Sequence, residues 1–158
     1  MFQIGQTVVH PGEGLCEVAD IRTEEFVKGC LQEYYLLRPC GIAGGMTVYL
    51  PVNQEKIHLR TTMTATQASS LCETAASAEP VWVENERERQ EKIAAVLREG
   101  EPIALMRMVQ DLRAEQAKRR AIGKKLRYAD ERALQDATRL LREEMAAVLK
   151  IAPSEVKL

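Results

Sequence analysis

The segment Glu-Pro-Val-Trp-Val-Glu-Asn-Glu at residues 79–86 divides the chain into two parts of different character. It contains the only tryptophan, Trp82, and it leads into a run from 84 to 91 that has no apolar residue. Residues 1–80 carry 5 Lys and Arg against 9 Asp and Glu, whereas residues 81–158 carry 17 against 14. Halves of opposite net charge predict two modules with different partners.

Trp82 has two interpretations at this position. Large aromatic side chains are usually mostly buried, which favours a core residue or a staple at a helix entrance. A tryptophan outside any periodic apolar pattern can instead stand out from the surface and press on a partner. The local pattern leaves both interpretations open.

Residues 1–60 predict a small antiparallel β domain. Five segments rich in strand formers are separated by Pro and Gly turns, one of them at 41–45, and the segments are 5–10, 15–22, 31–38, 46–51 and 57–60. Short strands at close spacing favour a strongly bent sheet or a small barrel filled by its own side chains. The 46–51 strand is a candidate edge, because Pro51 cannot donate a ladder hydrogen bond.

Residues 61–158 predict a compact helical bundle. Thr64 and Gln67 have capping-box spacing and open a helix that runs to about residue 77. Three further helices, each bounded by capping, Gly or Pro signals and apolar along one face, are predicted at 84–98, 102–121 and 129–150. The fold class is therefore α+β, with a β domain at 1–60, a connecting helix and linker at 61–80, and a helical domain at 81–158.

The helical half contains a basic cluster around the junction of its third and fourth predicted helices. Its eight members are Arg107, Arg113, Lys118, Arg119, Arg120, Lys124, Lys125 and Arg127. Donors gathered beside the positive end of a helix can hold phosphates. The same charges also suit a solvated helix C-terminus, so the cluster alone does not separate the two interpretations.

The sequence lacks the motifs of catalysis and of metal binding. No zinc-ligand spacing joins the four cysteines, which are Cys16, Cys30, Cys40 and Cys72. We therefore expect no enzyme activity, no cofactor and no metal, with free thiols in a reducing cytoplasm. No apolar run approaches the ~20 residues of a membrane span, so no membrane partner is expected either.

Three segments of the first half carry a family resemblance: Gly5-Gln-Thr-Val-Val-His-Pro-Gly-Glu-Gly14, Glu33-Tyr-Tyr-Leu-Leu37 and Met46-Thr-Val-Tyr-Leu-Pro51. They resemble the RNA-polymerase-interacting domain of the CarD/CdnL bacterial transcription regulators, a domain that also occurs in transcription-repair coupling factor. The helical half, with Trp82 ahead of a charged helix and a basic junction, looks like the C-terminal DNA-binding domain of CarD/CdnL. The resemblance covers nearly the whole chain.

This resemblance implies a Tudor-like β-barrel that binds the polymerase β subunit, and a helical domain on promoter DNA at the upstream edge of the transcription bubble. It implies that Trp82 enters the minor groove as a wedge and stabilises the open complex, with largely sequence-independent DNA binding. The implied DNA-binding residues are Trp82, Arg87, Arg119, Lys124, Lys125 and Arg132. The implied polymerase-binding residues are Val27, Lys28, Val48, Tyr49, Leu50 and Pro51, and some relatives carry arginine at the position of Tyr49.

Three other functions remain open from the sequence. The first is a polymerase-binding adaptor whose helical domain binds another protein instead of DNA. The second is a small cytosolic enzyme, which a deep pocket lined by titratable groups would favour. The third is a regulator that senses metal through its thiols.

Overall fold

The computed structural model describes residues 1–41 and 45–158, which divide into two compact units, Met1–Thr62 and Met63–Leu158. The first unit is a β-sheet and the second is a set of helices, so the predicted α+β class is confirmed. The helix predicted within the connecting segment 61–80 belongs to the second unit. Part of the turn predicted at 41–45 lies outside the described residues.

Five antiparallel strands form the sheet of the first unit: β1 (Thr7–His10), β2 (Gly14–Val27), β3 (Cys30–Pro39), β4 (Val48–Pro51) and β5 (Arg60–Thr61). The order across the sheet is β4-β3-β2-β1-β5, so β4 and β5 lie at opposite ends. The described residues therefore form an open sheet and not the closed barrel that was predicted. The edge strands are short: β4 has four residues and β5 has two.

The core of the sheet follows from its strand register. Tyr35 lies opposite Leu50, and Leu37 lies opposite Val48, so these side chains share one face. They pack with Val18 and other buried residues of β1 and β2. The register shifts between Val18 and Asp20, and such irregularities increase the bend and twist of a long strand.

The second unit contains α1 (Ala65–Ala76), α2 (Glu86–Glu99), α3 (Pro102–Ala121), α4 (Tyr128–Leu149) and a short 3-10 helix (Pro153–Glu155). The predicted capping box is present, because the Thr64 hydroxyl accepts from the Gln67 amide and the Thr64 amide donates to Gln67 Oε1. Gly100 ends α2 in the left-handed conformation with φ of 67°, and Pro102 begins α3. No helix in the described part of the chain is both long enough and apolar enough to span a membrane.

The helical core confirms the predicted apolar stripes. On α3 the buried residues include Leu105, Val109 and Leu112. The buried residues of α4 include Leu134, Ala137, Leu141 and Met145. The α1 helix adds Ala68, Leu71 and Ala75 to the same cluster, which explains why this segment belongs to the second unit.

His10 fixes the turn between β1 and β2 as a neutral side chain. Its Nδ1 accepts hydrogen bonds from the backbone amides of Gly12 and Glu13, each at 3.1 Å. Burial lowers the pKa of His10 below its ordinary value, and the nearby Glu13 carboxylate opposes that effect only in part. Protonation would replace the accepting lone pair by a third donor, so the turn requires the neutral ring.

Acidification should therefore destabilise the N-terminal unit through His10. The folded-state pKa of His10 lies below its unfolded value of about 6.5. The stability that the neutral ring contributes is therefore fully present above that pH and is lost as the pH falls toward the folded-state pKa. Urea unfolding of the N-terminal unit at pH 7.5, 6.0 and 5.0 measures the loss. His10→Gln should flatten this dependence, and equal pH slopes in both proteins would assign the effect to other groups.

Candidate functional site

The β4 strand is a sheet edge, as predicted. It pairs with β3 alone among the described strands, so the backbone groups on its other side are available to a partner strand. Tyr49 is 42% exposed, whereas Leu50 is only 4% exposed and packs into the sheet core. Leu50 can therefore contribute to a binding surface only through its main chain, while Val48 and Pro51 are half-buried.

An aromatic cluster lies at this edge, on the face of the sheet opposite the core, and two of its three rings are exposed while the third is half-buried. Phe26 lies 5.0 Å from Tyr34 and 5.3 Å from Tyr49, measured between ring centroids in edge-on contacts. Phe26 is 59% exposed. We name Phe26, Tyr34 and Tyr49 the aromatic edge. Phe26 and Tyr34 were missed from the sequence, although strand alternation places Tyr34 on the face opposite its neighbour Tyr35.

The tip of the β2–β3 hairpin extends the aromatic edge. Val27 pairs with Cys30, leaving Lys28 and Gly29 as a two-residue loop in which Gly29 has φ of 81°. Val27 and Lys28 are both exposed, and Phe26 connects them to β4. The structure thus brings the two predicted polymerase-binding segments to one surface. Contiguous exposed apolar side chains of this kind mark protein-interaction sites.

Trp82 is anchored through its backbone in the second unit. The amides of Val81 and Trp82 donate to Asp111 Oδ2 of α3, at 2.7 and 3.2 Å. Asp111 is held in turn by Arg107, whose Nε lies 3.0 Å from Oδ1. Charge-assisted hydrogen bonds to two consecutive amides fix the direction in which the Trp82 side chain leaves the backbone.

The indole ring lies between the helical core and charged side chains. The ring is partly buried and packs against the core cluster, and part of it remains exposed. Trp82 is therefore neither a fully buried core residue nor a side chain that stands free of the surface. The Arg89 guanidinium carbon lies 4.3 Å from the ring centroid, and that of Arg119 lies 6.0 Å away. The ring Nε1 donates to Glu84 Oε1 at 3.2 Å. Trp82 therefore sits among arginines and is not sealed by aliphatic side chains.

Arg89 is buried beneath the indole by an ion pair with α4. Its Nε and Nη2 donate to the two carboxylate oxygens of Asp130 at 3.0 and 3.1 Å, and both residues are at most 2% exposed. This pair was missed from the sequence. The available signal was helical spacing, because Arg89 lies one turn before the buried Ile93 and on the same face.

Arg119 connects the indole to the basic α3–α4 link. Its Nη1 donates to the backbone oxygen of Lys125 at 3.4 Å, while the guanidinium also approaches the Trp82 ring. Lys124 and Lys125 are exposed, and no carboxylate of the described residues forms an ion pair with either. Arg119 therefore contacts both the indole and the backbone of the link that carries the two lysines, and we name Trp82, Arg119, Lys124 and Lys125 the indole–lysine surface.

Two other predicted DNA-binding residues pair along their own helices. Arg87 contacts Glu91 at 3.3 Å on α2, and Arg132 contacts Asp136 at 3.5 Å on α4. Exposed pairs of this kind contribute little free energy, so both arginines can exchange their partners for phosphates at small cost. The contacts that join Trp82 to Arg119 do not include them.

The thiols show no arrangement for metal binding in the described part of the chain, where no group of three potential ligands occurs. All four cysteines are free. Burial raises the pKa of the Cys16 thiol to about 12, so this side chain stays protonated at neutral pH and is a poor nucleophile.

The N-terminal unit is a small antiparallel sheet with aromatic side chains at its edge strand, an arrangement typical of protein-binding modules. Residues 2–63 match the CarD-like/TRCF RID domain, so this unit belongs to that family of RNA-polymerase-interacting domains. The resemblance found in the sequence is confirmed for this unit, while the match ends before the helices. No curated protein matches the chain.

Proposed function

We propose that the protein is a bacterial, cytoplasmic transcription regulator that binds RNA polymerase and stabilises the open promoter complex without catalysing a reaction. The N-terminal unit docks on the polymerase β subunit, and the helical unit contacts promoter DNA at the upstream edge of the bubble. Trp82 enters the minor groove there and opposes bubble closure. The observation that carries this proposal is a partly exposed indole that lies among arginines, one of which also binds the backbone of the link that carries two exposed lysines.

The energetics of a minor-groove wedge favour the edge of a bubble. Unstacking a base step costs a few kcal/mol, and contacts with the distorted DNA offset this cost. The cost is lowest where the duplex already melts, so Trp82 acts there in preference to intact duplex. Lys124 and Lys125 supply the phosphate contacts, which carry no sequence information.

Tethering by the N-terminal unit compensates for weak DNA affinity. A surface with few unpaired cations binds DNA weakly, and its affinity falls steeply with salt concentration. Docking on the polymerase turns DNA contact into an intramolecular step with a high effective concentration. The aromatic edge is suited to that docking, because aromatic side chains dominate the energetics of many protein interfaces.

A site-specific crosslink tests both contacts at once. We expect a photo-crosslinking amino acid at the exposed Ile122, two residues from Lys124, to label upstream promoter DNA only when polymerase is present. Tyr49→Asp should greatly reduce this labelling, because loss of an interface aromatic costs about 2 kcal/mol or more, which is roughly 30-fold in affinity. Labelled DNA fragments and polymerase affinity are the two measurements.

Ile4→Asp is the matched control, since Ile4 is an exposed apolar residue of the same unit that lies in the N-terminal turn, outside β4 and outside the aromatic edge. It should retain both polymerase affinity and DNA labelling. If the crosslinker instead labels a protein and no DNA while polymerase binding is intact, the helical unit is a protein adaptor and the wedge is excluded.

A further inference from the structure

We propose that Arg89 is the positioning residue of the Trp82 wedge, and this inference rests on the function proposed above. The guanidinium of Arg89 forms a rigid support under the indole and sets the orientation of the ring before DNA is contacted. Arg89 is itself buried, so it acts through Trp82 and not by touching DNA.

The Arg89 guanidinium is fixed on several sides. Asp130 binds it through both carboxylate oxygens, and the backbone oxygens of Val83 and Glu84 accept from Nη1 at 3.0 and 3.2 Å. Gln90 also donates to Asp130 Oδ1 at 2.8 Å, which holds the carboxylate in place. A planar group with these contacts has little freedom to rotate, unlike a surface arginine.

Two of these contacts join the support to the segment that carries the indole. Val83 and Glu84 follow Trp82 directly in the chain, and Glu84 also accepts from the indole Nε1. Arg89 therefore binds the main chain just after Trp82 and also lies against its ring. Asp111 thus fixes the backbone of Trp82 through its amide. Glu84 binds the edge of the indole ring, and Arg89 covers one of its faces.

The 4.3 Å separation between the Arg89 guanidinium carbon and the ring centroid is a cation–π contact. Tryptophan is the best aromatic partner for this interaction, and the interaction strengthens when the cation is desolvated, as it is here. Lysine cannot replace arginine in this role, because an ammonium group has neither the planar shape nor the two-pronged hydrogen bonding.

Fold stability alone does not account for this arrangement. Removing two charges from water is costly, and well-packed apolar residues of similar volume often serve a fold equally well. A fixed aromatic side chain, by contrast, loses less conformational entropy when it inserts between bases. The pair of Arg89 and Asp130 thus provides a preorganised wedge, which an apolar pair would not provide.

Two variants, chosen so that the helical unit should stay folded, test the inference. Arg89→Met combined with Asp130→Leu removes both charges, so no unpaired buried ion remains. Arg89→Lys keeps the ion pair but removes the planar support. The control combines Arg139→Met with Glu143→Leu and removes a different ion pair, which is separated by 3.6 Å on α4 and lies outside the basic cluster. Helical circular dichroism confirms folding in each protein.

Time-resolved fluorescence anisotropy of Trp82 gives a direct reading, since this is the only tryptophan of the chain. We expect the local motion of the indole to be larger in both Arg89 variants than in the unmodified protein, and to be unchanged in the control. Ordering a mobile side chain on insertion should then shorten the open-complex lifetime roughly two- to tenfold, with unchanged polymerase affinity. An indole that stays as rigid as in the unmodified protein would overturn the inference.

The two measurements separate this inference from the proposed function. If Trp82→Ala leaves the lifetime unchanged, the wedge fails, and the anisotropy alone then decides whether Arg89 positions the ring. If Trp82→Ala shortens the lifetime but the mobile-indole variants do not, the wedge stands and the positioning role of Arg89 is overturned.

Discussion

Replacing Asp130 with alanine is expected to destabilise the helical unit by about 3–5 kcal/mol, because it leaves the buried Arg89 cation without its carboxylate. Typical domains have only 5–15 kcal/mol of stability in total, so this loss is a large fraction. Urea denaturation measured by helical circular dichroism reports on this unit, since all four α-helices of the described residues belong to it.

Asp136→Ala is the control for that prediction. Asp136 lies on the same helix and pairs with Arg132 at 3.5 Å, with both side chains substantially exposed. Its loss should lower the free energy of unfolding by about 0.3–0.5 kcal/mol, as expected for an exposed ion pair one turn apart on a helix. Equal costs for the two substitutions would mean that the Arg89–Asp130 pair is solvated and does not hold the bundle together.

Helix boundaries were predictable because their signals are local. The capping box at Thr64, the left-handed Gly100 and the first-turn Pro102 act within a few residues of the positions they define. The apolar stripes of α3 and α4 were predictable for the same reason, since helical periodicity selects the buried face before any partner helix is known.

Sheet closure was not predictable, because it depends on pairing between distant segments. A strand was predicted at 57–60, but the observed strand starts at Arg60 and, among the residues that the structure describes, pairs only with Val8 and Val9 of β1. A two-residue strand has no periodicity of its own and exists only through its partner. The number and length of such edge pairings decide whether a small sheet closes into a barrel.

The candidate site was only partly predictable from the sequence. Trp82 and the lysines were found through composition, but Arg89 and Asp130 are 41 residues apart and meet only in the folded bundle. A charge on the buried face of a helix requires a partner, yet the sequence does not say which carboxylate supplies it. Phe26 and Tyr34 of the aromatic edge were missed for a similar reason, because their cluster with Tyr49 forms across three strands.

Trp82→Ala is expected to shorten the lifetime of the open promoter complex roughly tenfold, which corresponds to about 1.4 kcal/mol. The indole would no longer occupy the unstacked step, so bubble closure would regain the stacking that the wedge prevents. Competitor-challenge assays of open complexes, with the protein at saturating concentration, measure the lifetime directly. Polymerase affinity should remain unchanged, because the proposed docking surface, β4 with the aromatic edge, belongs to the other unit.

Trp82→Phe is the informative companion of this substitution. Phenylalanine retains an aromatic plate but lacks the ring nitrogen that donates to Glu84, so it should preserve part of the lifetime. Because the indole packs on the helical core, circular dichroism must first show that the alanine variant is folded at the assay temperature. A folded alanine variant that binds polymerase and sustains the full lifetime would exclude the wedge, and DNA contact would then rest on Lys124 and Lys125.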